Sequence, residues 1–554
     1  MLQMHSRTSV SHLEISAIPC WRRMFALVGS ILLAGCSTTQ PKEKEASSPA
    51  NIREEKKQVS NEAKVIEPQK PQKREIRILL TADEHGWMEP LLDKEDKKKR
   101  GGLLQALDTF RKLESLDRDD VILLSAGDMW TGPFEATILE GAPMVQAFNE
   151  MGYLAAAVGN HEFDFGTDIL AKRQSEANFP FLAANLVETA TGNPPSWVQP
   201  SIMTKAGDLS VGIVGLTNVD APTNTDSRNI VGLQFAPYEE ALRSEVPKLK
   251  AKGAELIVVL LHDGLRVSRS LLPTLRELGV HVVAAGHAHA HGMFVDDNGT
   301  PEIRDDIAVC NSGAYLRSYC RINVAMEDGV LQTVEVSVQP IEAGVDDEIA
   351  NPSEKLSAII KAAHKKSDSI GSEVVGSTKK KVSKKDDALG QFIVDTWREA
   401  LPYADVAITN AGGVRQDLPQ GTIRIRDVRS VLPFNNYLLV VELTFDQLRA
   451  TLENPQAIPS GITFTYRMRK DGTRRIEALL NESGRAIDKD KRFKVIINDF
   501  MYRGGDHFTL RKYDPEPEET AIDWREPVLR HLRALSAKKK VLDVTANQRA
   551  KNVE

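Results

Sequence analysis

Short apolar runs that end in polar, metal-competent residues recur through the first half of the chain. Ile76-Arg77-Ile78-Leu79-Leu80-Thr81 is followed by Asp83-Glu84-His85. Val121-Ile122-Leu123-Leu124-Ser125-Ala126 ends in Gly127-Asp128. Leu154-Ala155-Ala156-Ala157-Val158 runs into Gly159-Asn160-His161-Glu162-Phe163-Asp164-Phe165-Gly166. Residues 256–261 end in His262, and residues 280–285 end in Gly286-His287-Ala288-His289. Each run is too short for a helix and reads as a buried strand. After Gly101-Gly102, Leu104, Leu107, Phe110 and Leu113 recur at helical spacing. Strands alternating with helices predict an α/β fold, in which ligands collect at the carboxyl ends of strands. Asp83 and His85 are two apart, so an extended chain would point both side chains the same way.

The second half has a different pattern. Glu354, Leu356, Ile359, Ile360 and Ala363 predict a helix in a connecting segment, residues 341–370. A second helix is expected to begin at Lys384-Lys385. Ala407-Ile408-Thr409 reads as a strand feeding Asn410-Ala411-Gly412-Gly413-Val414-Arg415. Residues 431–436, with Phe434, read as a turn. Val495-Ile496-Ile497 leads into Asn498-Asp499-Phe500 and then Gly504-Gly505-Asp506-His507-Phe508. Residues 516–554 are charged and partly helical, with Leu529, Leu532 and Leu535 on one face, and carry no assigned role.

At the amino end Trp21-Arg22-Arg23 precedes an apolar run ending in Leu33-Ala34-Gly35-Cys36. A basic flank, a short apolar core and small residues form an export signal, too short to span a bilayer. Its last four residues look like a bacterial lipobox. Residues 1–36 are therefore expected to be a lipoprotein signal with Cys36 lipidated, anchoring the protein to the cell envelope. Residues 37–74, rich in Lys, Glu, Pro, Ser and Gln, read as a disordered tether.

A chain of 554 residues is too long for one core and predicts two domains plus appendages. The net charge of −6 argues against a protein built to grip a nucleic-acid duplex. Four cysteines, Cys20, Cys36, Cys310 and Cys320, exclude a disulfide framework and a zinc ribbon. Cys310 and Cys320 either pair, if the protein is exported, or stay as buried thiols. No Gly-rich Walker loop is present.

The five strand ends deliver Asp83, His85, Asp128, Asn160, His262, His287 and His289. A single histidine at a strand end is usually structural; five such ends in order are not accident. Oxygen and imidazole donors without thiolate suit Zn, Mn, Co or Fe in a hydrolytic centre.

This order of motifs resembles the calcineurin-like metallophosphoesterases, and the spelling around Gly159–Gly166 resembles the 5′-nucleotidase family. The resemblance implies a four-layer αββα metallophosphoesterase domain, residues 75–340, followed by an α+β 5′-nucleotidase C-terminal domain, residues 371–515. It implies two divalent metal ions: Asp83, His85 and His289 on one, Asn160, His262 and His287 on the other, and Asp128 bridging. His161 and Asp164 would be the catalytic dyad. Phe434 and Phe500 would stack the base, Asn410 and Arg415 would approach base, ribose or phosphate, and Asp506 would take the ribose hydroxyls. Relatives rotate the second domain to bring substrate to the metals. Two departures stand out: Ala288 where many relatives have serine, and Lys384-Lys385 where relatives carry an arginine and an asparagine.

The expected activity is release of phosphate from nucleotides by a metal-bound hydroxide. Nucleotide-sugar (UDP-sugar) hydrolysis and 2′,3′-cyclic-nucleotide phosphodiester hydrolysis are the nearest alternatives. A thiosulfohydrolase has no need for two stacking phenylalanines. A non-catalytic surface binding lipoprotein should have lost a ligand or the dyad, and all nine positions are intact.

Overall fold

The computed structural model describes residues 73–92, 98–343, 349, 352–385, 387–545 and 549–553. The proposed signal, Cys36 and the tether as far as residue 72 lie outside the described residues.

The first domain is two six-stranded sheets packed face to face. One runs Val330–Pro340, Ser318–Glu327, Lys73–Thr81, Val121–Ser125, Ala155–Ala157, Phe181–Leu182 in spatial order. The other runs His291–Asp296, Ile307–Ser312, Val282–Ala285, Leu256–Leu261, Leu209–Leu216, Ser201–Ala206. In the first sheet the strands from Lys73–Thr81 to Phe181–Leu182 are parallel and the two on the other side antiparallel; in the second the four central strands are parallel and both edges antiparallel. The two-residue period of a strand explains the layering. Ile78, Leu80, Leu124, Val258 and Leu260 fill the core between the sheets. Their neighbours Leu79 and Leu123 pack outward on helices such as Leu103–Glu114. Val259 and Leu261 pack outward on the helices of the opposite side. Strands buried on both faces read as unbroken apolar runs, which is why they stood out in the sequence. The result is the four-layer αββα architecture.

Cys310, on one sheet, and Cys320, on the other, form a disulfide within the inter-sheet core. The choice left open by the sequence is thus resolved by register: two strands of different sheets hold these residues 6.3 Å apart at Cα.

The helix Glu354–Gly371 buries Leu356, Ile360 and Ala363 in the first domain's helical layer. It occupies less than the 341–370 segment, starting only at Glu354, where the Ser353 hydroxyl accepts from the Leu356 N–H at 3.2 Å and caps it. Lys73 and Arg74, expected in the tether, belong to the first strand, and Arg74 pairs with Glu255 at 2.5 Å.

The second domain has a five-stranded sheet in the order Ala457–Ser460, Val406–Asn410, Phe493–Asn498, Tyr437–Leu443, Glu518–Asp523. The last of these strands corrects the expectation of a charged tail from residue 516. Glu518–Asp523 closes the sheet, the helix Glu526–Ala537 packs on the helix Ala388–Ala400, and Ala550–Asn552 pairs with Ile462–Met468. Trp524 is fully buried, and its indole N–H donates to the Phe434 carbonyl at 3.0 Å. Surface charge masked this segment in the sequence, since half of an edge strand or amphipathic helix faces water. The helix expected from Lys384 begins only at Ala388.

Candidate active site

The carboxyl ends of five strands from both sheets of the first domain converge. The expectation that Asp83 and His85 follow an extended backbone is corrected. Asp83 has φ 53° and His85 φ 48°, and Asp128, His287 and His289 are also left-handed, at 59°, 66° and 54°. Such conformations cost energy in non-glycine residues and persist where the surroundings impose them, typically at functional sites. Here three of the five strand ends turn at their ligands in this way, while Asn160 and His262 follow their strands without a left-handed residue. Gly159 is required by the crowding that results, since a Cβ there would lie 2.3 Å from Asp128 Oδ1.

Asp83, His85 and His289 form one cluster of donor atoms, and Asp128, His262 and His287 another. His85 Nε2 and His289 Nε2 face each other at 2.8 Å, and His287 Nδ1 faces Asn160 Oδ1 at 2.9 Å. Asp128 Oδ2 lies 3.1 Å from His262 Nε2 and 3.7 Å from His85 Nε2, between the two clusters. Asp83 Oδ2 and His262 Nε2 are buried with no hydrogen-bond partner. Side-chain nitrogens and carboxylate oxygens converging on common points, with two buried ligand atoms left unpartnered, are what bound divalent cations require. The residues therefore fit bound divalent metal, and the oxygen–imidazole set suits borderline transition metals.

The histidines are oriented from behind. His85 Nδ1 donates to the Thr131 carbonyl at 2.9 Å and His262 Nδ1 to the Ala126 carbonyl at 2.8 Å, leaving each Nε2 to ligate. His289 Nδ1 lies 3.3 Å from the Tyr315 hydroxyl. Glu162, quoted in the motif but given no role, is buried and accepts from the backbone N–H groups of Gly159, Asp128 and Met129 at 2.6, 2.9 and 2.8 Å. It ties two of the ligand-bearing loops together. Nothing in the sequence singles out Tyr315.

The electrostatics follow from burial. Burial pushes the pKa of His287 down to about 4 and of His289 to about 3, so both are neutral and free to ligate. Burial acts likewise on His262, but the Asp128 carboxylate outweighs it and lifts the pKa to about 10. The field that retains a proton there would equally retain a cation.

His161 Nδ1 is 2.8 Å from Asp164 Oδ2. Burial opposes the imidazolium, but Asp164 and then Asp128 overcome it and raise the pKa. His161 also lies with His85 and Asp128 in a third donor cluster, so proximity by itself does not separate dyad from ligand.

A cavity of about 590 Å³ opens beside His161 and spans both domains. Asn160, His161, Asp164 and His287 line it from the first domain, and Asn410, Arg415, Phe434, Phe500 and Asp506 from the second. All five substrate-pocket residues expected from the sequence are thus brought to the metal-facing residues. Phe434 lies nearly parallel to the His161 ring, 5.9 Å between centroids. Phe500 is held by a glycine: a Cβ at Gly505 would lie 2.3 Å from its ring. Asn410 Nδ2 donates to Asp506 Oδ2 at 2.6 Å, and Asn498 Nδ2 to Asn410 Oδ1 at 2.9 Å. Lys384 is not a substitute for the relatives' arginine. Its ammonium donates to the Arg415 carbonyl at 2.9 Å, behind the cavity wall, leaving Arg415 as the second domain's guanidinium in the cavity.

Residues 76–291 match the calcineurin-like phosphoesterase family, and residues 366–512 match the 5′-nucleotidase C-terminal domain. Human 5′-nucleotidase is 26% identical over 498 residues, covering 79% of this chain and 84% of that protein. The trifunctional nucleotide phosphoesterase YfkN of Bacillus subtilis is 29% identical over 457 residues, 70% of this chain; the match spans only 30% of that longer protein. Among solved structures, a 5′-nucleotidase precursor of Thermus thermophilus superposes with a TM-score of 0.75 at 23% identity, covering 87% of this chain and 99% of that one. The sulfate thiohydrolase SoxB of the same genus shares the fold, with a TM-score of 0.68 at 17% identity, over 86% of this chain and 96% of that one. Two domain matches in the right order, on a structure that joins their sites in one cavity, give this chain a calcineurin-like phosphoesterase domain and a 5′-nucleotidase C-terminal domain, the build of a metal-dependent phosphoester hydrolase similar to the 5′-nucleotidases.

Proposed function

We propose that the chain releases inorganic phosphate from nucleotides, with 5′-mononucleotides the leading substrates. One observation carries this reading: the cavity that reaches the dyad and the metal-facing residues is also walled by Phe434 and Phe500. A phosphoester without a base would leave those rings without a task.

Asp83, His85 and His289 would hold one divalent ion, Asn160, His262 and His287 a second, and Asp128 would bridge them. When bound, two such ions activate water and neutralise charge on the transferred phosphoryl group. The protein's own contribution is positional and electrostatic. Phe434 and Phe500 hold the base by stacking. Asp506 accepts from sugar hydroxyls, and Arg415 offers a guanidinium to the phosphate. Asp164 fixes the His161 ring through Nδ1 and favours its charged form. Nε2 is thereby left to stabilise developing negative charge or to protonate the leaving oxygen.

We also propose export and lipid anchoring through Cys36. The Cys310–Cys320 disulfide supports this, since such bonds persist in oxidising compartments. Among the described residues no helix is long and apolar enough to cross a membrane, so retention would rest on the lipid. Cys36→Ser should then leave the membrane fraction; equal retention after salt washing would sink the anchor.

The activity is tested by phosphate release from 5′-nucleotides, nucleotide sugars and 2′,3′-cyclic nucleotides, each with Zn, Mn, Co, Fe or Mg. Turnover of 5′-mononucleotides above the others is expected. Turnover of a nucleotide sugar or cyclic nucleotide alone would move the assignment to that class.

A further inference from the structure

The second-domain wall of the cavity has assigned contacts, but the facing wall has none beyond the metal-facing residues and the dyad. That wall is the first-domain segment containing the short helix Ala221–Asn224 and the turn Ser227–Ile230. Asn224, Thr225, Asp226, Arg228 and Asn229 line the cavity from it.

Thr225 is the informative residue. It is 3% exposed, and its hydroxyl finds no hydrogen-bond partner within the protein. Its main chain is satisfied, with N–H donating to the Ala221 carbonyl at 2.9 Å. Buried polar groups are ordinarily paired, and an unpaired one is destabilising unless something else engages it. The segment around it is braced rather than loose. The Asn224 carbonyl accepts from Asn160 Nδ2 at 3.4 Å, and Asn229 Nδ2 donates to the Asp164 carbonyl at 2.9 Å. Arg228 reaches across to Asp499 at 2.9 Å, the residue beside Phe500. Thr225 is therefore held in place by both domains.

Its neighbours identify where along the cavity it lies. On one side the segment touches Asn160, at the metal-facing end. On the other, the helix Ala221–Asn224 packs on the turn Gly505–His507 that carries Asp506. In a nucleotide, the group between phosphate and base is the sugar. One Asp506 oxygen is already engaged by Asn410, so this carboxylate does not by itself satisfy a diol generously. A hydroxyl opposite it can both donate to and accept from a sugar hydroxyl.

We propose that Thr225 is a specificity-determining contact, its hydroxyl binding the furanose hydroxyls from the first domain while Asp506 binds them from the second. The sugar subsite is complete only where the two domains meet. This rests on the nucleotide reading above.

The test compares a nucleoside 5′-monophosphate with its 2′,3′-dideoxy analogue on the parent, Thr225→Val and Thr225→Ser. The ratio of kcat/KM for the two substrates should fall about 5- to 10-fold in Thr225→Val, the scale of one hydrogen bond, and recover in Thr225→Ser. Adenosine binding, measured by titration against 2′,3′-dideoxyadenosine, should lose the same preference. Thr225→Val should melt no lower than the parent, because the hydroxyl has no protein partner to lose. An unchanged ratio in Thr225→Val, or a loss that Thr225→Ser does not restore, would overturn the proposal. A parent that cleaves an aryl phosphate ester but neither nucleotide would instead overturn the nucleotide reading.

Discussion

Asp128 and His161 sit within one donor cluster yet should fail differently when replaced. Asp128 Oδ2 faces His262 and His85, while Oδ1 accepts the His161 backbone N–H at 2.8 Å. Asp128→Ala should therefore be the worst single ligand change, lowering the content of both metals and abolishing turnover. Metal analysis and phosphate release check this, and substantial residual activity would refute a bridging role. His161→Asn should retain both metals and lose about 10²–10⁴ in kcat, the scale of a positioned acid–base or charge-stabilising group. Asp164→Asn should cost less, since it acts through the ring. Loss of a metal from His161→Asn would make His161 a ligand, an assignment its distance to His85 and Asp128 permits. The types and spacing of these residues were legible in the sequence. Glu162 as a brace, Tyr315 behind His289 and the unpaired Thr225 were not, because each depends on what another part of the chain brings alongside.

Among the elements, the helix Glu354–Gly371 carries a packing contact that titrates. His364 Nε2 lies 3.1 Å from Glu89 and Nδ1 3.6 Å from Glu135, and Arg426 of the second domain reaches the same Glu135 at 3.7 Å. The Glu135 carboxylate, then that of Glu89, outweighs burial and raises the His364 pKa from 6.5 to about 9. A raised pKa means that the folded state binds the proton more tightly than the unfolded state. This contribution is fully present below about pH 6.5 and is lost as pH rises through about 9. The melting temperature of the parent should fall between those values by more than that of His364→Gln, and parallel profiles would refute the coupling. The effect should be modest, because the side chain remains partly exposed. The sequence marked the apolar face of this helix, but not that its polar face would meet acids from distant loops.

At the scale of the whole molecule, two sites with separate sequence signatures share one cavity. The remote binding energy of the base can then position the phosphate. Phe434→Ala combined with Phe500→Ala should remove about 2–6 kcal/mol from nucleotide kcat/KM, roughly 1–3 for each stacked ring. Hydrolysis of bis-p-nitrophenyl phosphate should largely survive, since it calls only on the metals and His161. Equal loss on both substrates would make the rings structural. No loss on either would mean that the true substrate has no stacked base. Phe434 is also tied through its carbonyl to Trp524, so the charged segment after residue 516 supports the pocket.

The sequence by itself determined which strands form, because runs buried on both faces must be apolar throughout, and which residues follow them, because ligand chemistry restricts residue type. It also marked the two phenylalanine turns and the order of the domains. Tertiary structure alone decided that Cys310 and Cys320 meet across two sheets, that the segments Glu518–Asp523, Glu526–Ala537 and Ala550–Asn552 complete the second domain, and that Lys384 turns away from the cavity. It alone placed a first-domain segment opposite Asp506. These are long-range facts, set by register, layer packing and domain apposition, and no local pattern of polarity encodes which distant surface an element will meet.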